Sequence, residues 1–70
     1  MEIAKQFGRN LRTIRKEAGF TQDRLAAEAL MDRATVSRFE NGLCLPRLDH
    51  IQRLTEATGA PVGAFLEGIA

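Results

Sequence analysis

The first pattern in the chain is a hydrophobic stripe with steps of three and four residues. Its members are Ile3, Phe7, Leu11, Ile14 and Ala18. Residues at this spacing share one side of an α-helix, and Gly19 follows as a residue type that ends helices. The stripe therefore predicts a first helix over about residues 3–18.

The opposite side of this predicted helix is basic. It carries Lys5, Arg9, Arg12 and Lys16. A charged helix side is usually a solvated one, although the same side chains also suit contacts with phosphate groups. The sequence leaves both interpretations open.

Residues 21–42 contain two short helical patterns separated by a break. Thr21 is suited to cap the first of these helices, which would have about two turns. Its apolar positions are Leu25, Ala26 and Ala29. The pattern is interrupted at Leu30 and Met31, so a tight turn is predicted there.

The second helix of this pair has an apolar side and a polar side. Asp32 is suited to cap it, Val36 and Phe39 repeat at i, i+3, and Gly42 is suited to end it. The polar positions are Arg33, Thr35, Ser37, Arg38 and Asn41. A short helix with this polar side suits insertion into a DNA groove.

Two more helices are predicted after residue 42. Pro46 suits the start of a fourth helix, whose inner side would contain Leu48, Ile51 and Leu54 and whose end would fall at Gly59. Pro61 then opens a short last helix with the apolar residues Val62, Phe65 and Leu66. No segment alternates in the manner of a strand, so the sequence predicts an all-α, compact bundle of five short helices.

Composition narrows the class of protein. Seventy residues allow one domain, here taken as residues 1–70, and a core this small is marginal, so a partner chain would help. No apolar run approaches the roughly 20 residues of a membrane helix, and the first ten residues lack the apolar segment of a signal peptide. We therefore expect a cytoplasmic protein. Cys44 is the single cysteine, so no intrachain disulfide and no cysteine-based metal site is expected.

The net charge of +1 is small and unevenly distributed. Residues 1–42 contain eight basic and six acidic side chains, and the remainder contains two basic and three acidic ones. This excess does not by itself indicate a nucleic-acid partner. No enzyme and no cofactor are expected either, because His50 is the only histidine, no Gly-rich phosphate loop is present, and Ser37 has no neighbouring His or Cys in the sequence.

The residues described above resemble the lambda-repressor-like, or XRE-type, helix-turn-helix regulators. The resemblance runs from Leu11 through Thr21-Gln22 and Leu25-Ala26 to Val36-Ser37-Arg38-Phe39-Glu40-Asn41-Gly42, and on to Pro46, Gly59 and Phe65-Leu66. The combination is fairly specific, whereas each residue alone is not. One position departs from the family pattern, which usually has Gly where this chain has Leu30. A leucine there must adopt a strained backbone angle or reshape the turn.

Four residues of the second motif helix are predicted to contact bases. A helix that enters the major groove by its N-terminal end places its first residues on base edges, here Arg33 and Ala34, with Ser37 and Arg38 one turn later. The arginine fork can pair with guanine O6 and N7, so Arg33 and Arg38 are the main candidates. Ala34 would touch a thymine methyl group, and Ser37 a base or a phosphate.

A second set of residues is predicted to contact phosphates, which fixes the register of a protein on the duplex without distinguishing sequences. The resemblance implies that Gln22, at the start of the second helix, is the phosphate-contacting glutamine of the family. Further candidates are Thr21, Thr35 and Asn41, together with Arg9 or Arg12. Thr21 could equally be only a cap, and Asn41 only a helix-terminal residue.

The resemblance also implies a structural charge pair and a dimer. Arg15 and Glu40 would connect the first helix to the end of the recognition helix. Val62, Phe65 and Leu66 are the candidates for a dimer interface, with closure of the core by the last helix as the other interpretation. Phe65 is expected to close the core even if Val62 and Leu66 face a partner.

These features predict a sequence-specific DNA-binding transcriptional regulator. It would bind a pseudo-palindromic operator as a homodimer, with a recognition helix over about residues 32–41. Among the subtypes that the resemblance covers, a restriction-modification controller protein is preferred to a phage repressor, and a chain this short is expected to act without a separate sensing domain. The alternative is an antitoxin-type interaction module, whose last helix covers a protein partner and for which DNA binding is secondary.

Overall fold

The structure is a computed structural model that describes residues 1–69. Over these residues the chain forms five α-helices and no strand. They are α1 (Glu2–Glu17), α2 (Gln22–Glu28), α3 (Arg33–Glu40), α4 (Leu48–Thr58) and α5 (Val62–Phe65). The predicted all-α bundle is therefore confirmed. The helices enclose one core, in which α1 packs against both α3 and α5, and α2 packs against α3 and α4.

Helix α1 buries a stripe that differs at both ends from the predicted one. Phe7, Leu11 and Ile14 are buried as expected. Ile3 is exposed, because its position lies at the edge of the stripe and Ala4 takes the inward place. Ala18 is also exposed, since it is the C-cap residue beyond the last turn of α1. The inward side of the helix is therefore shorter than the hydrophobic pattern suggested.

Three phenylalanines form the centre of the core. The Phe7 ring meets the Phe39 ring edge to face, with their centroids 5.8 Å apart, and it stacks on the Phe65 ring with centroids 6.3 Å apart. All three side chains are buried. Aromatic pairs in these arrangements contribute about 0.5–1.5 kcal/mol beyond the burial of their surface. Phe7 thus connects α1 to the middle of the bundle and to the last helix at once.

Leu30 closes α2 with a backbone conformation that glycine usually supplies. Its φ is 57°, and it is the only non-glycine residue with positive φ in the described part of the chain. The Leu30 N–H donates to the Ala27 carbonyl, and the Met31 N–H to the Ala26 carbonyl at 2.9 Å. These are the two hydrogen bonds of a Schellman motif. The turn therefore has the usual helix-ending geometry, with a leucine in the left-handed backbone conformation.

Replacing Leu30 by glycine is expected to raise the free energy of unfolding by about 0.5–1 kcal/mol. Left-handed backbone costs a non-glycine residue roughly 1–2 kcal/mol, and the greater freedom of glycine in the unfolded chain offsets part of that gain. The Leu30 side chain is mostly exposed, so its removal leaves no cavity. Urea unfolding provides the measurement, with Leu30→Ala as the control that keeps the Cβ atom. Equal stability of the two variants would contradict the explanation.

Helix α4 differs from the prediction at its first residue. Leu54 is buried and Ile51 half-buried, but Leu48 is 85% exposed. Two successive steps of three residues rotate about 120° around a helix axis, so Leu48 and Leu54 cannot share one inner side. The helix begins after Arg47 and not at Pro46.

His50 helps to start α4. The Arg47 backbone N–H donates to His50 Nδ1 at 3.1 Å, and the imidazole meets the Phe39 ring edge to face with centroids 5.2 Å apart. Burial lowers the pKa of His50, and the nearby Arg47 lowers it further. The neutral form therefore fits this site best, since a protonated Nδ1 could not accept the hydrogen bond. His50 is half-buried and has a structural role at the start of α4.

Candidate nucleic-acid interface

The apolar side of helix α3 packs against α1, and the backbones of the two helices approach each other very closely. Val36 and Phe39 are buried, and Gly8 of α1 lies directly against the backbone of the C-terminal end of α3. A Cβ atom at Gly8 would be 2.3 Å from the Phe39 carbonyl oxygen and 2.8 Å from that of Glu40. Only glycine allows α1 and α3 to approach this closely. The orientation of α3 is thus set by backbone contact as well as by side-chain packing.

The carboxylate of Glu40, at the end of α3, connects this helix to α1 and to the start of α2. Glu40 Oε2 accepts from Arg15 Nε at 2.6 Å, and Glu40 Oε1 accepts from Arg15 Nη2 at 3.1 Å and from Gln22 Nε2 at 3.0 Å. Arg15 Nη1 also donates to the Phe20 carbonyl at 3.0 Å. The side chains of Arg15 and Glu40 are only 11% and 3% exposed. The implied Arg15–Glu40 pair is present, and it is a nearly buried, bidentate one.

The Gln22 contact was not anticipated from the sequence. Its amide is half-buried and donates to Glu40, so the carboxylate fixes the side chain for which a phosphate contact was predicted. A side-chain amide has two N–H donors and an acceptor oxygen, so a second donor is left over. The network thus orients Gln22 without using all its hydrogen-bonding capacity.

The outer side of α3 presents the predicted base-contacting residues to solvent. Arg33, Ala34 and Arg38 are exposed, and Ser37 is half-buried. Arg38 Nη2 donates to Thr35 Oγ1 at 3.3 Å, and Thr35 is itself half-buried. These residues lie on one surface of a helix whose other surface is in the core. Their contact with DNA remains a prediction.

Arg33 has an acidic neighbour on the preceding helix. Its Nε atom lies 3.5 Å from Asp23 Oδ1, so its ion-pair partner is Asp23 of α2. Asp32 has extended backbone and the N-cap position of α3, but its side chain accepts no capping hydrogen bond. Asp32 was therefore correctly placed as the boundary residue, whereas the predicted side-chain cap is absent from the described residues.

The other residues predicted to contact phosphates have varied surroundings. Thr21 Oγ1 accepts from the Arg24 N–H at 3.0 Å and caps α2. Asn41 is the exposed C-cap residue of α3, and its Nδ2 donates to Ser37 Oγ at 3.4 Å. On α1, Arg12 is exposed, as is Arg9, whose Nη2 donates to Gln6 Oε1 at 2.7 Å. Thr21 and Asn41 thus have structural roles, and a phosphate contact for each of these residues remains a prediction.

The three residues predicted for a dimer interface do not share one environment. Phe65 is fully buried and stacks on Phe7, so its side chain belongs to the core of its own chain and cannot face a partner. Val62 and Leu66 are exposed. Residues four apart around a helical turn are neighbours, so these two form a small apolar surface at the last helix. The predicted interface is reduced to Val62 and Leu66.

Residues 1–69 contain neither a membrane-spanning helix nor a metal-binding cluster. No helix there has both the length and the apolar character needed to span a bilayer. The same residues contain no group of three or more His, Cys, Asp or Glu side chains placed to bind a metal ion. Cys44 is half-buried and unpaired.

Comparison with known proteins identifies the family. The sequence profile described as "Helix-turn-helix domain" matches residues 6–66, which is most of the chain. A comparison with curated proteins gave no significant match.

Solved structures agree with this result. The restriction-modification controller protein C.AhdI from Aeromonas hydrophila is 28% identical with a TM-score of 0.89, covering 93% of this chain and 98% of that one. The clp gene regulator ClgR from C. glutamicum is 25% identical with a TM-score of 0.85, covering 91% and 83%. The controller protein C.Esp1396I is 21% identical with a TM-score of 0.84, covering 96% and 88%, and shows similarity of fold alone.

The profile covers both helices of the motif and the core that holds them. The matched range also includes all the residues that resemble the XRE-type pattern, which run from Leu11 to Leu66. The chain belongs to the helix-turn-helix domain family, as a DNA-binding transcriptional regulator of the lambda-repressor-like (XRE) type.

Proposed function

We propose that this protein binds a pseudo-palindromic operator as a homodimer, with α3 of each copy in the major groove. The observation that carries the proposal is the pair of exposed arginines, Arg33 and Arg38, on a helix whose opposite side is fixed in the core. A major groove is about 12 Å wide and admits one α-helix. Helix α3 has the exposed polar surface and the rigid support that such insertion requires.

Base contacts would come from four residues of α3. The planar guanidinium groups of Arg33 and Arg38 match the paired acceptors O6 and N7 of guanine. Ala34 lies between them and is small enough to approach a thymine methyl group, and the Ser37 hydroxyl can donate to a base or a phosphate. The Thr35 hydroxyl holds one amino group of Arg38, which restricts the arginine before binding.

Phosphate contacts would come from residues around α3. Gln22 is oriented by Glu40 and has a free donor for a phosphate oxygen. Thr21, Thr35, Asn41 and Arg9 or Arg12 complete the proposed set. These contacts would set the register of α3 in the groove and would not distinguish one sequence from another.

Two copies are proposed because one domain of this size makes few contacts with DNA. Recognition helices of two-fold dimers lie about one DNA turn apart, roughly 34 Å. The chain measures 28 × 22 × 21 Å, so two copies side by side are of the right size for that separation. Val62 and Leu66 are the proposed contact between them, since they are exposed apolar residues on the last helix.

The preferred subtype is a restriction-modification controller protein acting in the cytoplasm. The controller protein C.AhdI is 28% identical, and the match covers nearly the whole of both chains. The proposed dimer would respond to its own concentration, because dimer and operator occupancy both follow mass action.

Arg38→Ala is expected to weaken binding to the specific operator by about 1–3 kcal/mol and to relax preference at one base position per half-site. The reason is loss of a two-donor contact with guanine. Titration of labelled operator and of random duplex gives the two affinities. Arg38→Lys is the matched control, because it keeps the charge and loses the fork. Equal losses on operator and random DNA would refute a base contact.

Gln22→Ala is expected to weaken binding to operator and random duplex by similar factors. A phosphate contact is made on any sequence, so the ratio of the two affinities should stay constant. The substitution also removes the hydrogen bond to Glu40, so the unfolding free energy must be measured and titrations done where the variant is folded. A selective loss on the operator would contradict the phosphate role.

A further inference from the structure

Asp23 is an acidic residue at the surface from which α3 would enter DNA. It lies in the first turn of α2, next to Gln22 in sequence, and its carboxylate is 3.5 Å from the Nε atom of Arg33. The two side chains are 77% and 65% exposed. The contact is an ion pair and not a hydrogen bond, and the Arg33 side chain forms no hydrogen bond within residues 1–69. The shortest contact of the ion pair is thus at Nε, which leaves the terminal amino groups available for a further hydrogen-bond acceptor.

The guanidinium group has five N–H donors, so an arginine that pairs with a carboxylate can still donate to a guanine. Guanine presents O6 and N7 in the major groove, and two N–H groups of one arginine can bind both. A carboxylate beside Nε biases a long, flexible side chain, by an amount typical of an exposed ion pair, toward conformers in which Nε is near the carboxylate. A part of the rotamer freedom is then lost before binding, which favours the oriented contact.

Stability gives little reason for this pair. Exposed ion pairs contribute little or nothing measurable to folding, since water and salt screen them. An acidic residue in the first turn of a helix is mildly favourable, but Asp23 interacts with the next helix as well. A carboxylate here is also repelled by phosphates. Asp23 and Asp32 together balance the charges of Arg33 and Arg38, which lowers the attraction of this surface for DNA of any sequence.

We propose that Asp23 is a positioning and specificity-determining residue. It holds Arg33 by its Nε edge for contact with guanine, and it weakens binding to duplexes that lack that guanine. On random DNA the carboxylate contributes repulsion, whereas on the operator its orientation of Arg33 offsets that cost. The inference rests on the proposed function, in which Arg33 contacts a base.

Asp23→Asn tests this inference, because it keeps the size of the side chain and removes the charge. Three duplexes are titrated over a range of salt concentrations: the selected operator, the operator with the guanine opposite Arg33 replaced, and a random sequence. Asp23→Asn is expected to bind random duplex more tightly and to lose about 2- to 5-fold in preference for the operator over the replaced site. The loss of preference should be confined to that one position.

Two control variants separate orientation from charge. Glu28→Gln changes the net charge equally on the same helix, where Glu28 pairs with Arg24 at 2.9 Å, and it should leave the preference at the Arg33 guanine unchanged. Arg33→Ala should abolish that preference, and adding Asp23→Asn to it should have no further effect on it. Unfolding free energies of all variants account for any change in the stability of α2.

Each outcome decides between the inference and the function on which it rests. If Arg33→Ala lowers the preference but Asp23→Asn does not, Asp23 has no positioning role and the proposed function stands. If Asp23→Asn lowers the preference equally in the Arg33→Ala background, the effect does not pass through Arg33 and the inference fails. If Arg33→Ala itself leaves the preference intact, the base contact of Arg33 and the inference are both overturned.

Discussion

Gly8→Ala is expected to lower the free energy of unfolding by about 2–3 kcal/mol and to abolish specific DNA binding. The new Cβ atom would lie 2.3 Å from the Phe39 carbonyl oxygen and 2.8 Å from the Glu40 one. Both obstacles are backbone atoms, so the strain is relieved only by separating α1 from α3. Overpacking of this kind costs about 1–3 kcal/mol, occasionally more. The movement would also displace the outer side of α3 relative to Gln22.

The chain contains a matched control for Gly8. Gly63 is also a helical glycine, and a Cβ atom there would meet nothing within 4 Å. Alanine is favoured over glycine within helices by about 1 kcal/mol, so Gly63→Ala should be neutral or slightly stabilising. Urea unfolding and operator titration of both variants give the comparison. Similar behaviour of Gly8→Ala and Gly63→Ala would show that α1 and α3 are not in backbone contact.

Glu40→Ala is expected to cost about 3–5 kcal/mol of stability, because it leaves the nearly buried charge of Arg15 without a partner. A domain of this size has a total stability of only about 4–10 kcal/mol, so this loss is a large fraction of it. The variant also releases Gln22 from its hydrogen bond to Glu40. Thermal and urea unfolding measure the loss.

Two comparisons distinguish burial from charge in this prediction. Glu28→Ala breaks an exposed pair with Arg24 and should cost at most about 1 kcal/mol. The double variant Arg15→Met, Glu40→Leu removes both charges and should recover much of the stability, since apolar residues often replace buried ion pairs at little cost. A double variant as unstable as Glu40→Ala would mean that lost contacts, and not the unpaired charge, cause the effect.

The ends of helices were predictable from the sequence, because a single residue can decide where a helix begins or ends. Thr21, Gly42 and Gly59 mark helix boundaries by their own chemistry, and the structure places boundaries at or next to each of them. Burial was less predictable. Leu48 matched an apolar spacing but is exposed, because steps of three residues drift around a helix and the position of the neighbouring helix decides which residues are inward.

The contacts around α3 depend on distances between helices, which no local pattern contains. The Gly8 approach to Phe39 and the pair between Asp23 and Arg33 arise from the packing of two elements. A glycine in the middle of an amphipathic helix was a signal that could have been used for Gly8, since glycine is disfavoured there without a packing reason. The sequence offered no comparable signal for the pairing of Asp23 with Arg33.

Selection of bound duplexes from a random-sequence pool, with the mass of each complex measured, tests the central claim most directly. The proposed function predicts an inverted repeat with half-site centres about one DNA turn apart and two chains on each duplex. Binding should weaken steeply as salt is raised. Recovery of no motif at low salt, or of a motif bound by a single chain, would contradict the dimeric operator-binding regulator and direct attention to a protein partner for α5.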